Sequence, residues 1–151
     1  MPEQAIANLS MAVEKLKELN VISSNSFTSE IGVYHAKKHL NLKGILLKMQ
    51  GYINGGYDAV DKNGIKYEIK TRCVNDKKTM RTKFSNVKNK KCDFIVFVVL
   101  DYNFQLLLLT KISKEFVLKN INNGQGDFYQ TEEILNNKEI EIVFKDDLSD
   151  R

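Results

Sequence analysis

Three residues in the stretch "GYDAVDKNGIKYEIKTR", Gly56 to Arg72, have the types and spacing to do hydrolytic chemistry: Asp58, Glu68 and Lys70. Whether they meet depends on the turn between them, because hairpin loop length decides which side chains share a face. A two-residue Asn63-Gly64 turn would pair Asp58 with Ile69 and put the two acids on opposite faces. A three-residue Lys62-Asn63-Gly64 loop, with Gly64 left-handed in a bulge, pairs Asp61 with Ile65 and sets Asp58 opposite Glu68, with Lys70 on the same face. The second register also gathers Ile65, Tyr67 and Ile69 on the other side, as a core face requires, and is the one expected. Two carboxylates facing each other across strands repel unless a cation lies between them. Oxygen donors from Asp58 and Glu68, with a backbone carbonyl such as that of Ile69, suit a hard divalent ion such as Mg²⁺. Such an ion acidifies water and neutralises charge on a phosphoryl oxygen, while Lys70 orients the attacking water or stabilises the transition state. The plainer reading of the same spacing is a surface hairpin in which Lys70 pairs with Glu68.

The elements that must position these residues follow from periodicity and turn chemistry. Residues 3–19 place Ala5, Leu9, Ala12, Val13, Leu16 and Leu19 at helical spacing before Asn20. A second helix starts in "SNSFTSE", with Thr28 or Ser26 as the expected cap, and carries Gly32, Ala36 and Leu40 at four-residue steps, small enough at the start to lie close to a sheet. "GILLKM" (44–49) reads as a buried strand before a glycine loop. The stretch after the hairpin reads as a basic loop with one helical turn near Phe84 to Lys88. "CDFIVFVVL" and "FQLLLLT" are apolar enough to be central strands buried on both faces. "SKEFVLKNI" and "TEEILNN" read as short helices and "KEIEIVF" as a closing strand. A chain of 151 residues with one proline and no internal repeat is expected to form a single domain over 1–151.

Charge narrows the function. The net charge is +4, but residues 66–91 hold ten basic side chains against two acidic, and residues 127–151 hold eight acidic against three basic. A basic segment beside a carboxylate cluster suits a polyanion such as nucleic acid, with Arg72, Lys77, Lys78, Arg81, Lys83 and Lys88 as the candidate contacts, although a solvated basic loop has the same composition. Cys73 and Cys92 are isolated, and the N-terminus has no apolar signal region, so a cytoplasmic setting is expected. The apolar runs are far shorter than the roughly 20 residues a membrane helix needs. His35 and His39 stand at half a zinc-site spacing with nothing to complete it, and read as a polar helix face. Tyr52 and Tyr57 flank the glycine loop, where core or rim packing is expected over stacking on a base.

At these residues the sequence resembles the PD-(D/E)XK nuclease superfamily, whose signature is an Asp on one strand and a (D/E)-x-K on the next. It stands here as Asp58 in "GGYDAVD" and Glu68-Ile69-Lys70 in "KYEIKTR". The resemblance implies a restriction-endonuclease-like α/β fold, a mixed central sheet flanked by helices with an αβββαβ core, covering about Thr28 to Thr110. It further implies a Mg²⁺-dependent endonuclease acting on DNA, with Mn²⁺ substituting for Mg²⁺ and RNA left open as substrate. The family usually supplies one more Glu from the preceding helix. Val33 stands at that position here, and Glu30, one turn earlier on the same helix face, is the candidate replacement. Cutting both strands needs two active sites, so a two-fold homodimer is expected. The competing reading is a nucleic-acid-binding module or assembly subunit that keeps the fold without cutting, favoured if Val33 marks a lost ligand.

Overall fold

A computed structural model of the protein describes residues 1–51, 56–75, 82–121 and 126–146. Among the described residues, four helices, α1 (Pro2–Glu18), α2 (Thr28–Leu42), α3 (Lys114–Lys119) and α4 (Glu132–Leu135), accompany eight strands. The strands are β1 (Lys48–Met49), β2 (Ala59–Val60), β3 (Lys66–Cys73), β4 (Thr82–Phe84), β5 (Phe94–Leu100), β6 (Leu106–Ser113), β7 (Phe128–Gln130) and β8 (Glu141–Lys145). Six of them form one mixed sheet in the order β1-β2-β3-β5-β6-β8, while β4 and β7 pair in a small second sheet. Among the described strands, β3 and β5 run parallel and the other neighbouring pairs are antiparallel. This is the mixed, helix-flanked α/β sheet expected from the sequence.

The central strands follow directly from composition. Alternate residues of β5 feed two cores: Val96, Val98 and Leu100 face a cluster with Ile31, Ala36 and Leu40 of α2, whereas Ile95, Phe97 and Val99 face Phe116, Val117, Phe84 and Phe128. Near-continuous apolarity marked a strand covered on both sides, and that is where it lies. On α2, Gly32 is required by a close approach: a Cβ there would overlap the Thr71 hydroxyl of β3. The helix therefore rests directly on the strand that carries Glu68 and Lys70.

The hairpin adopts the three-residue loop. Asp61 N–H donates to Ile65 O at 3.0 Å and Gly64 N–H to Asp61 O at 3.1 Å, with Gly64 at φ 78°. Ala59 pairs with Tyr67 and Val60 with Lys66. The Asp61 carboxylate braces the loop, accepting from the N–H groups of Asn63 and Ile65 and from the Tyr67 hydroxyl. Tyr67 and Ile69 consequently enter the α2-side core, and Ile65 packs against it.

Several local expectations are corrected. The 44–49 run is strand only at Lys48–Met49, an exposed edge, because β2 offers two residues to pair with; Leu47 is buried and Ile45 half-buried against the core instead. The cap of α2 is Phe27, with neither Thr28 nor Ser26 closing the helix end through its side chain. The Glu30 carboxylate reaches back instead to the amides and hydroxyls of Ser23 and Ser24. In place of a helical turn at Phe84, β4 alternates buried Thr82 and Phe84 about exposed Lys83 and pairs with β7, which the sequence did not announce. The described residues of the 74–93 connection between the parallel strands thus contain a strand and no helix. No described helix is long and apolar enough to cross a membrane.

Candidate active site

Asp58 lies where β2 and β3 begin to diverge. Its backbone N–H donates to Tyr67 O at 2.8 Å, and its side chain takes over the next rung, with Oδ2 accepting from Ile69 N–H at 2.8 Å. One carboxylate oxygen is thereby fixed on the strand that holds Glu68. The strand pairing ends at Ala59–Tyr67, and Asp58 N–H still bonds to Tyr67 O, so it is the carboxylate bond to Ile69 N–H that sets Asp58 beside Glu68.

Glu68 is 5% exposed, an unusual place for a carboxylate, and is held by two cations. Lys90 Nζ lies 2.8 Å from Glu68 Oε1 and Lys70 Nζ lies 3.8 Å from the same atom. Burial pushes the Glu68 carboxyl above its ordinary value, the Lys90 hydrogen bond pulls against that, and the charge of Asp58 raises it further. Burial and the neighbouring Lys90 charge lower the Lys70 ammonium, with Glu68 opposing, whereas the hydrogen bond to Glu68 raises Lys90. Two acids and two lysines thus balance one another at low solvent exposure.

Lys90 is the site residue that sequence reasoning missed as such; it stood in a basic run as one of several charges, and nothing in its local pattern pointed to Glu68. Its backbone is anchored on both sides. The Lys90 carbonyl accepts from Lys114 Nζ, and Lys91 N–H donates to Gly56 O at 2.7 Å. Gly56 has φ 108°, and a Cβ on it would come 2.7 Å from Lys91 N, so only glycine allows this approach.

Asp58, Glu68, Ile69, Lys90 and Glu30 all line one cleft of about 540 Å³, with Tyr57, Gln50 and Met49 on its walls. Glu30 reaches it from α2, with both carboxylate oxygens engaged by Ser23 and Ser24, whose hydrogen bonds lower its pKa. Among the described residues, no three His, Cys, Asp or Glu side chains stand close enough together to hold a metal ion. The donor set that does converge is Asp58 and Glu68. Its hard oxygens, their mutual repulsion and the ammonium drawn onto Glu68 all mark a place that attracts a cation, and in that chemical sense the residues fit a divalent ion.

The other sequence candidates are dispersed. Arg72 is exposed further along the Glu68 and Lys70 face of β3. Lys83 pairs with Asp127 at 3.1 Å, and Lys88 is exposed beside Gly126. Lys77, Lys78, Arg81 and Tyr52 lie outside the described residues. Tyr57 is half-buried with Lys66 Nζ 5.1 Å from its ring centroid. His35 and His39 stack at 6.4 Å and His39 meets Phe144 at 4.9 Å; burial lowers the pKa of both, and their rings pack on one another and, through His39, on Phe144.

No protein-family model matches the sequence, and no curated protein matches it. Among solved structures the chain is similar to a bacterial homing endonuclease, I-Ssp6803I, with a TM-score of 0.51 and 17% identity, over 74% of this chain and 78% of that one. At that identity the likeness is one of fold alone.

Proposed function

We propose that the protein is a metal-dependent endonuclease that hydrolyses DNA phosphodiester bonds at the Asp58–Glu68–Lys70 hairpin, using Mg²⁺ or, in its place, Mn²⁺. The observation that carries this reading is the meeting of the Asp58 and Glu68 carboxylates in one cleft, with Lys70 3.8 Å from Glu68. Asp58, Glu68 and the Ile69 carbonyl are the groups that would hold the ion. When bound, it would neutralise charge on the phosphoryl oxygens and lower the pKa of water. Asp58, tied to Ile69 N–H, contributes a fixed carboxylate. Lys70, its pKa lowered by burial, stands beside that pair as a group able to orient water or meet developing negative charge. Glu30, on the cleft wall, supports the water shell from α2.

The remainder of the reading is coarser. DNA is the proposed substrate, RNA the alternative polyanion, and Arg72, Lys77, Lys78, Arg81, Lys83 and Lys88 the proposed backbone contacts. A single domain acting as a two-fold homodimer in a reducing cytoplasm, with free Cys73 and Cys92, completes it. The second reading, a nucleic-acid-binding module that does not cut, is favoured by one feature: the Glu68 carboxylate is already satisfied by Lys90.

The test is incubation of wild type, Asp58→Asn and Lys70→Ala with plasmid and branched DNA, with and without Mg²⁺ or Mn²⁺. Cleavage by wild type alone, only with metal, is expected, while both variants still bind DNA. A wild type that takes up no divalent ion by calorimetry and cuts neither DNA nor RNA would replace this reading with the module.

A further inference from the structure

The acid cleft does not end at Glu30. Glu30, Val33 and Met49 also line a second hollow of about 460 Å³, walled by Tyr34, Lys37, Lys38 and Leu46. Lys37, Leu46 and Met49 continue in turn into a third, of about 520 Å³, closed by Lys48 and Lys62. The three form one trough running from the acids along α2 and β1 to the hairpin tip.

Its lining has two parts. Leu46 is 66% exposed, Tyr34 43% and Met49 36%, an apolar floor that nothing described covers. Lys37, Lys38, Lys48 and Lys62 are exposed along it. Lys15, Lys17, Lys83, Lys111 and Lys119 are tied to acids, but among the described residues none of these four has a carboxylate within 4 Å. The acids that border the trough are committed elsewhere: Glu30 to Ser23 and Ser24, Asp61 to its own loop and to Tyr67. Free cations over an apolar floor with a projecting aromatic ring form the surface that takes a single nucleic-acid strand, phosphates on the lysines and bases on the floor.

We propose that this trough binds a single strand of DNA leading into the acid cleft, with Lys37, Lys38, Lys48 and Lys62 on its phosphates and Tyr34 stacked on a base. The choice of DNA rests on the proposed function; the groove chemistry does not. This strand path lies on α2, β1 and the hairpin tip.

Binding is measured by fluorescence anisotropy in EDTA, so that no cleavage intervenes, with short labelled oligothymidylate, oligouridylate and a blunt DNA duplex. The variants are the quadruple Lys37→Gln/Lys38→Gln/Lys48→Gln/Lys62→Gln and, separately, Tyr34→Ala. All five positions are exposed, and thermal melts establish that the variants fold. The quadruple variant is expected to bind oligothymidylate at least about tenfold more weakly, with the salt slope reduced by roughly 0.7 for each lysine lost. Tyr34→Ala is expected to weaken oligothymidylate about fivefold and to leave the duplex unchanged. An unchanged affinity and salt slope in the quadruple variant, a loss confined to the duplex, or a preference for oligouridylate would overturn the proposal. Strand binding through the trough by a protein that cuts nothing would uphold it while removing the catalytic reading.

Discussion

The Lys90 ammonium is the hydrogen-bonded counter-charge of the buried Glu68 carboxyl, and removing it isolates one sign of charge. With Lys90→Met, Glu68 loses the hydrogen bond that lowers its pKa and keeps the burial and the Asp58 charge that raise it. The variant should lose about 1–3 kcal/mol of stability at neutral pH, the cost of leaving a buried acceptor unpaired. The sign with pH is definite. A carboxyl whose folded pKa lies above its ordinary 4.5 binds protons better when folded, so the deficit should be small in acid and grow as pH rises from the raised value of the wild type through the still higher value of the variant. Urea denaturation of wild type and variant on both sides of that window measures it; a deficit independent of pH would mean that Lys90 acts through packing. Under the proposed function Lys90 also competes with a divalent ion for Glu68, so Lys90→Met should bind Mn²⁺ more tightly by calorimetry, and an unchanged affinity would put the ion elsewhere. The three-residue hairpin loop was legible because Ile65, Tyr67 and Ile69 had to share a core face and loop length sets that register. Lys90 was not, because a lysine in an irregular connection has no period, and its partner is set by a parallel pairing formed 22 residues earlier in the chain, at Glu68.

Two glycines decide how the elements hold the site. Gly32→Ala would drive a Cβ into Thr71 and force α2 away from β3, a misfit of about 1–3 kcal/mol that chemical denaturation would register. Gly64, at φ 78° with open space around it, should cost only the left-handed strain of about 1–2 kcal/mol when changed to Ala. Gly56→Ala is the more informative change, since its Cβ meets Lys91 backbone and would displace Lys90 from Glu68. It should reproduce the pH-dependent deficit of Lys90→Met; a deficit flat in pH would uncouple that loop from the ion pair. The four-residue step of Gly32, Ala36 and Leu40 made the α2 contact readable in advance. The α2 cap was misplaced because Ser and Thr mark helix starts in general, whereas here Glu30 bonds back to the preceding turn. The short β4 and β7 strands escaped notice because three-residue strands carry too little alternation to register, and their identity is set by Phe84 and Phe128 packing on Phe97.

Over the whole molecule, the two sheets share one interior through that aromatic contact. Phe97 is fully buried between Phe84 at 4.6 Å and Phe128 at 5.0 Å. Phe128→Ala should cost about 3–5 kcal/mol and leave a single unfolding transition by fluorescence and circular dichroism. Two separated transitions would show instead that β4 and β7 fold as an independent unit. The central strands were legible because a strand buried on both faces needs apolar residues at every position. The parallel alignment of β3 with β5 has one more consequence, for the order in which a ribosome delivers the parts. Asp58 and Glu68 emerge first, on a hairpin that α2 can already cover, while Lys90 and the strand that aligns it follow later. Until then the acid pair lacks this counter-charge, and β3 lacks its parallel neighbour, so a nascent chain halted before residue 90 holds only half a site. Only a chain that extends through β5 brings both acids and both lysines together.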